Sequence, residues 1–188
     1  MNKKTSELVG LGILTAIVIV LQALALNIRF GVFSITLVLA PIIIGAALYG
    51  YKAGAWLGLV FGVMVLLTDA GVFLAISVPG TIVTCILKGV VAGIVSAVVY
   101  KAFANKNKTG AVILAGIAAP VCNTGVFLLG CWLFFFDTVS AWGQAAGYEN
   151  AGAYMLTAFV GLNFIVELII NMVLSVAIVR IVNIVKKN

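Results

Sequence analysis

The chain has 188 residues, 64% of them hydrophobic and only 9% charged, with a mean hydropathy of +1.30. A soluble domain carries about half apolar and about a quarter charged residues, so the solvent here is lipid, and no stretch remains for a soluble catalytic domain. The net charge is +6, histidine is absent, and Cys85, Cys122 and Cys131 sit in apolar runs without metal-ligand spacing, so a metal centre has nothing to be built from and no cofactor is expected.

A hydrocarbon core about 30 Å thick takes about 20 apolar residues of helix. Read in chain order, the first span is Leu8 to Leu26. Lys3-Lys4, the apolar run and Ala23-Leu24-Ala25 also have the form of a signal peptide. The run is longer than the usual apolar region of about 7 to 15 residues, however, and carries Gly12 and Ala16 at the small-xxx-small spacing of a packing helix. The second span, about Thr36 to Tyr49, and the third, about Ala53 to Thr68, are short. They read either as spanning helices or as a re-entrant hairpin around Gly50-Tyr51-Lys52. The fourth runs from about Val78 to Ala102, the fifth from Gly110 to Phe136 with Pro120 as a place for a kink, and the sixth from about Tyr154 to Val185. The expected fold is an all-α integral membrane protein: a single domain over residues 1–188, built as a compact bundle of six transmembrane helices. Cys122 and Cys131, roughly 13 Å apart along one predicted helix and on opposite faces, are too far apart for a disulfide and read as small packing residues.

Basic residues concentrate in cytoplasmic loops. Lys3, Lys4, Lys52, Lys101, Lys106, Lys108, Arg180, Lys186 and Lys187 fall on one side of a six-span arrangement with both termini cytoplasmic. Arg29 falls on the other side with Asp69, Asp137 and Glu149. Topology thus explains the charge, and no nucleic-acid partner is expected. The absence of a GxxxxGK[ST] phosphate loop means that uphill transport would draw its energy from an ion gradient or from a partner.

A charge deep in a span costs at least about 2.5 kcal/mol, so each should face a partner, a cavity or a pathway. Lys88 in the fourth span and Glu167 in the sixth both fall near the midplane, where they can form a structural ion pair or serve a ligand. Asn163, Glu167 and Asn171 recur at steps of four and share one stripe, which lines a site or a helix interface. Asn123 and Thr124, after Pro120, present an amide whose hydrogen bonds must be met inside the bundle, by a ligand or by a neighbouring helix. Outside the spans, Asn27 to Ile35 carries Arg29 and Phe30, Asp69 to Ser77 links spans three and four, and Asp137 to Gly152 reads as a long loop of the lid type. Trp132, Phe134, Phe135 and Trp142 form an outer aromatic belt or cover a ligand.

These features together resemble the substrate-binding subunits, or S components, of energy-coupling factor importers. The resemblance runs over essentially the whole chain. It rests on the size and six spans, on the basic N-terminus leading to Gly12-Ile13-Leu14-Thr15-Ala16, on Lys88-Gly89-Val90-Val91-Ala92-Gly93 running on to Tyr100-Lys101, and on Pro120-Val121-Cys122-Asn123-Thr124-Gly125. It implies a multi-pass protein of a prokaryotic plasma membrane that captures a small vitamin-like molecule near the outer face. It also implies docking on a membrane scaffold (T) subunit driven by two ATPase subunits. Gly12 and Ala16 take the places of the family's docking patch of small residues. Lys88 or Arg29 is available to a carboxylate, Asn123, Asn163 and Glu167 to hydroxyl or amide groups, and Trp132 to cover the ligand. Pantothenate suits this set; riboflavin, folate or a pyridoxine-type compound are the alternatives for flat rings. The competing classes are a stand-alone secondary transporter, which calls for internal repeats that the two halves do not display, a structural subunit, and a membrane enzyme, for which no nucleophile-base pair stands out.

Overall fold

The computed structural model describes residues 3–25, 29–30, 33–34 and 37–185. These are almost entirely helical. Helix α1 is Lys3–Ala25, and a two-residue antiparallel ladder follows, β1 Arg29–Phe30 with β2 Phe33–Ser34. Next come α2 Leu39–Tyr49, α3 Tyr51–Thr68, a single turn α4 Gly71–Leu74, α5 Val78–Ala104, α6 Lys108–Phe134, α7 Phe136–Ala145 and α8 Ala151–Tyr154. A π-helical turn, Met155–Val160, leads into α9, Gly161–Val185. Five of these runs are long and apolar enough to cross a membrane: α1, α3, α5, α6 and the run Ala151–Ser175. At 11 residues, α2 is shorter.

The expected spans therefore exist, with two differences: the second is only the 11 residues of Leu39–Tyr49, and the connection after the fifth is helical. Helix α2 turns sharply into α3 at Gly50, within the segment where a hairpin was one of the two expectations; its φ of 84° is open to glycine and costly for other residues. Leu57 then folds back on Gly45, and Ala46 on Gly54, so α2 and α3 form a helical hairpin. The segment from Asp137 to Gly152, read as a long loop, is instead mostly α7 and α8. Phe136, Val139, Trp142 and Gly143 recur at steps of three and four, a period that a reading based on loop length passed over. The caps are local and polar: Ser77 Oγ accepts from Gly80 N at the start of α5, and Asn107 Oδ1 accepts from Gly110 N at the start of α6.

Helix α5 is the axis of the bundle, packed most extensively on α6 and α3. The α3/α5 contact is made by glycine. Gly54, Gly58 and Gly62 lie one turn apart on α3 and face Gly93, Gly89 and Cys85 on α5, in antiparallel order. A methyl group on Gly54 would overlap the Gly93 carbonyl, one on Gly58 the Gly89 carbonyl, and one on Gly62 the Cys85 carbonyl; the reverse holds for Gly89 and Gly93. Helix backbones in lipid gain their attraction from such close approach, because the hydrophobic effect does not distinguish lipid from protein. On the next face of α5, Gly130 of α6 admits Thr84.

Helix α1 is held by polar side chains. Gln22, fully buried, donates through Nε2 to Asp69 Oδ2 at 2.8 Å and to Thr68 Oγ1 at 3.2 Å. One face lower, Trp56 Nε1 donates to Thr15 Oγ1 at 3.1 Å. These pairs set α1 parallel to α3. The bundle thus has two distinct ends. One carries the Gly50 elbow and the α5–α6 turn, with Lys4, Lys52, Lys101, Lys106, Lys108 and Arg180; the other carries α4, α7 and α8, with Asp69, Asp137 and Glu149.

Candidate functional site

The second end of the bundle holds its own cluster of aromatic side chains. Phe73 of α4 is the hub: its ring centroid lies 5.6 Å from Phe127, 5.0 Å from Phe135, 6.0 Å from Trp142 and 6.4 Å from Phe159. Phe159 also meets Phe127 at 5.9 Å and Tyr154 at 5.2 Å, and Tyr154 meets Tyr148 at 5.3 Å. Most of these pairs are edge-to-face, the geometry that the ring quadrupole favours, worth about 0.5–1.5 kcal/mol each beyond area burial. The rings come from α4, α6, α7, α8 and the π turn, so this cluster ties the short helices to the bundle.

Lys88 reaches into the lower edge of that cluster. Its Nζ sits 5.6 Å from the Phe61 ring centroid and 5.5 Å from the Phe127 ring centroid. Two faces of π density stabilise an ammonium by roughly 0.5 to 2 kcal/mol each. They do not replace the hydrogen bonds that an ammonium makes in water, and among the described residues Lys88 makes no hydrogen bond or ion pair, which leaves its donors available to an anion.

Buried oxygens without a partner among the described residues lie on α5 itself, on the adjoining α6 and on α9. Asn123, one turn before Phe127 on α6, is 8% exposed, and its Oδ1 has no hydrogen-bond partner among the described residues. The same holds for Thr84 Oγ1, one turn from Lys88 on α5, and for Asn171 Oδ1 on α9. A buried polar atom without a partner costs about 1–3 kcal/mol, so such positions await a donor. Asn171 differs from the other two in that its Nδ2 donates to the Glu167 carbonyl at 2.8 Å, and it packs beside Gly116 in the α6/α9 contact.

The structure thus brings Lys88 and Asn123 of the expected set to one region. Glu167 is half-buried on α9, within one turn of Asn171. Trp132 is 59% exposed and makes no ring contact among the described residues, whereas Trp142 packs on Phe73. The side chains of Arg29 and Asn163 lie outside the described residues. Gly12 and Ala16 are exposed on α1, and a methyl group on Gly12 would meet open space. Sequence reading had not singled out Phe61, Phe127, Thr84 or Gln22. A lone glutamine in the apolar run of α1 was a usable signal; phenylalanines in apolar helices offer none.

Among the described residues, no nucleophile-base pair accompanies this arrangement. It is suited to holding a small amphipathic anion, with one charged anchor, apolar walls and a few polar groups. A family model, ECF transporter, substrate-specific component, matches residues 6–182. The chain belongs to that family.

The pantothenic acid transporter PanT of Lactococcus lactis subsp. cremoris (strain MG1363) is 29% identical over 196 residues, covering 95% of this chain and 94% of the relative. No solved structure gives a significant match. As an ECF S component, the chain is a multi-pass membrane transport protein and not an enzyme. It is the substrate-binding part of a vitamin importer, working with an energy-coupling module.

Proposed function

We propose that this S component binds pantothenate at the aromatic end of the bundle and hands it to a scaffold subunit energised by two ATPases. The observation that carries the reading is the Lys88 ammonium set between Phe61 and Phe127 with open donors, one helical turn from the unpartnered Thr84 oxygen and beside the helix that carries Asn123. A ligand with one carboxylate, hydroxyl donors and a short flexible body answers all of these groups. Pantothenate has that constitution, and a relative alike over nearly its whole length is named for it. Glu167, Asn163 and Arg29 are the further polar groups that this reading assigns to the site, with Trp132 at its outer margin.

Residues 1–188 act in this reading as one binding domain, with the basic elbow end and both termini in the cytoplasm of a prokaryotic cell. Excess lysine on that side sets the orientation. The aromatic end then faces outward, where substrate arrives.

The test is ligand binding by the purified protein, with riboflavin, folate and pyridoxine as competitors. Labelled pantothenate should bind at a stoichiometry of about one and resist all three. Binding of any competitor in its place would reassign the substrate. Asn123→Ala should weaken binding by about tenfold, since a hydrogen bond made in a buried site contributes about 1.5 kcal/mol, and should leave assembly with the scaffold unchanged.

Docking is proposed through Gly12 and Ala16, which allow a second helix to approach the α1 backbone closely. Ala16→Trp is expected to abolish co-purification of the scaffold while pantothenate affinity stays within about twofold, because the side chain points away from the bundle. Loss of both together would place the effect in folding.

A further inference from the structure

The opposite end of the molecule contains a cleft that pantothenate binding does not use. It lies between the α2–α3 elbow and the last turns of α5 and encloses about 660 Å³. Ala47 and Val98 belong to its apolar wall; Tyr51, Lys52, Lys101 and Asn105 belong to its polar margin. The volume falls in the range of about 300–1,000 Å³ that ligand sites occupy. Its chemistry suits an amphiphile: a largely apolar wall with two ammonium groups at its margin.

The charge distribution is one-sided. Lys52 and Lys101 line the cleft, while no acidic residue among the described residues does. Glu7 on α1 is the acidic residue described at this end, and it is not part of the lining. Lys52, Lys101 and Tyr51 are exposed, so the cations stand at the rim and not in the hydrocarbon. Tyrosine at a rim of this kind marks the level of the lipid headgroups. The two exposed lysines thus border a cavity whose inner wall is largely apolar.

We propose that this cleft holds an anionic phospholipid of the surrounding bilayer, its phosphate between Lys52 and Lys101 and one acyl chain along the α2 and α5 wall. Basic pockets between transmembrane helices recognise anionic headgroups in this way, each lysine strengthening the attraction by about fivefold. Bound lipid would brace the hairpin of α2 and α3 against α5 at the end where the glycine seam stops.

The full-length protein in mild detergent, titrated with phosphatidylglycerol, phosphatidylcholine or inorganic phosphate and read by native mass spectrometry, tests this. One phosphatidylglycerol should be retained in preference to phosphatidylcholine, and K52Q/K101Q should reduce that retention by about thirtyfold. K106Q/K108Q removes the same charge from the neighbouring turn, outside the cleft, and should leave retention unchanged. Equal loss in both double variants, equal retention of the zwitterionic lipid, or full displacement of lipid by inorganic phosphate would each overturn the proposal.

Discussion

Gly89→Leu is expected to leave no folded protein in the membrane. Gly89 faces Gly58 with no side chain between the two backbones, and the nearest obstacle to a larger residue is the Gly58 carbonyl, a part of helix α3 that cannot change rotamer. Overpacking costs about 1–3 kcal/mol where neighbouring side chains can shift. Here α3 and α5 must separate along their whole contact, which also removes the close approaches at Gly54 to Gly93 and at Gly62 to Cys85. Against a total stability of about 5–15 kcal/mol, losing the central contact of the bundle is decisive. Gly58→Ala is the graded version, expected to cost about 2 kcal/mol or more. Fluorescence-detected size exclusion of tagged protein reads both, with Gly12→Leu as control, since Gly12 has open space around it. A sharp monomer peak from Gly89→Leu equal to that of the control would remove the seam from its central place in the fold.

The second large effect falls on the ligand. Lys88→Met, similar in length and without charge, is expected to weaken pantothenate binding by about 10- to 150-fold, the range that follows from about 1.5–3 kcal/mol for a hydrogen bond to a charged group. The primary alcohol corresponding to pantothenate, which lacks the carboxylate, supplies the discriminating measurement. Wild-type protein should prefer the acid strongly, and the variant should bind acid and alcohol alike. Thermal stability of the ligand-free variant should stay level or rise, because replacing an incompletely solvated ammonium by an apolar chain relieves its desolvation cost. A variant that melts earlier and still prefers the acid would make Lys88 a structural residue and move the carboxylate elsewhere.

Much of this was legible from residue types alone. In a chain dissolved in lipid, each polar residue inside a span stands out, and Lys88 and Asn123 are candidates on that ground. The basic residues gave the two ends of the bundle for the same reason. The packing was harder to read. Gly54, Gly58 and Gly62 repeat every four residues, and so do Gly89 and Gly93, but small residues are frequent in membrane helices and their spacing does not name the partner. Phe61 and Phe127 lie among many apolar residues, and only the fold shows that their rings meet the same ammonium. The π turn before Gly161 left no mark either, since each of its residues is an ordinary helix former in lipid. In the segment after Phe136, a helical period was present and was outweighed by the expectation that a polar connection between spans is a loop.

The elbow at Gly50 has a consequence for chain length. One residue separates the last turn of α2 from the first turn of α3, so the rotational phase of α3 is fixed by the end of α2. A single residue added to the first turn of α3, taken up as helix, would turn Gly54, Gly58 and Gly62 by about 100° relative to the elbow, pointing them away from α5 although none of them had been altered. The elbow therefore acts as a phase lock. Insertions belong in the Asn105–Asn107 turn, where the polar cap can be re-formed, while at Gly50 the count of residues is as constrained as their identity.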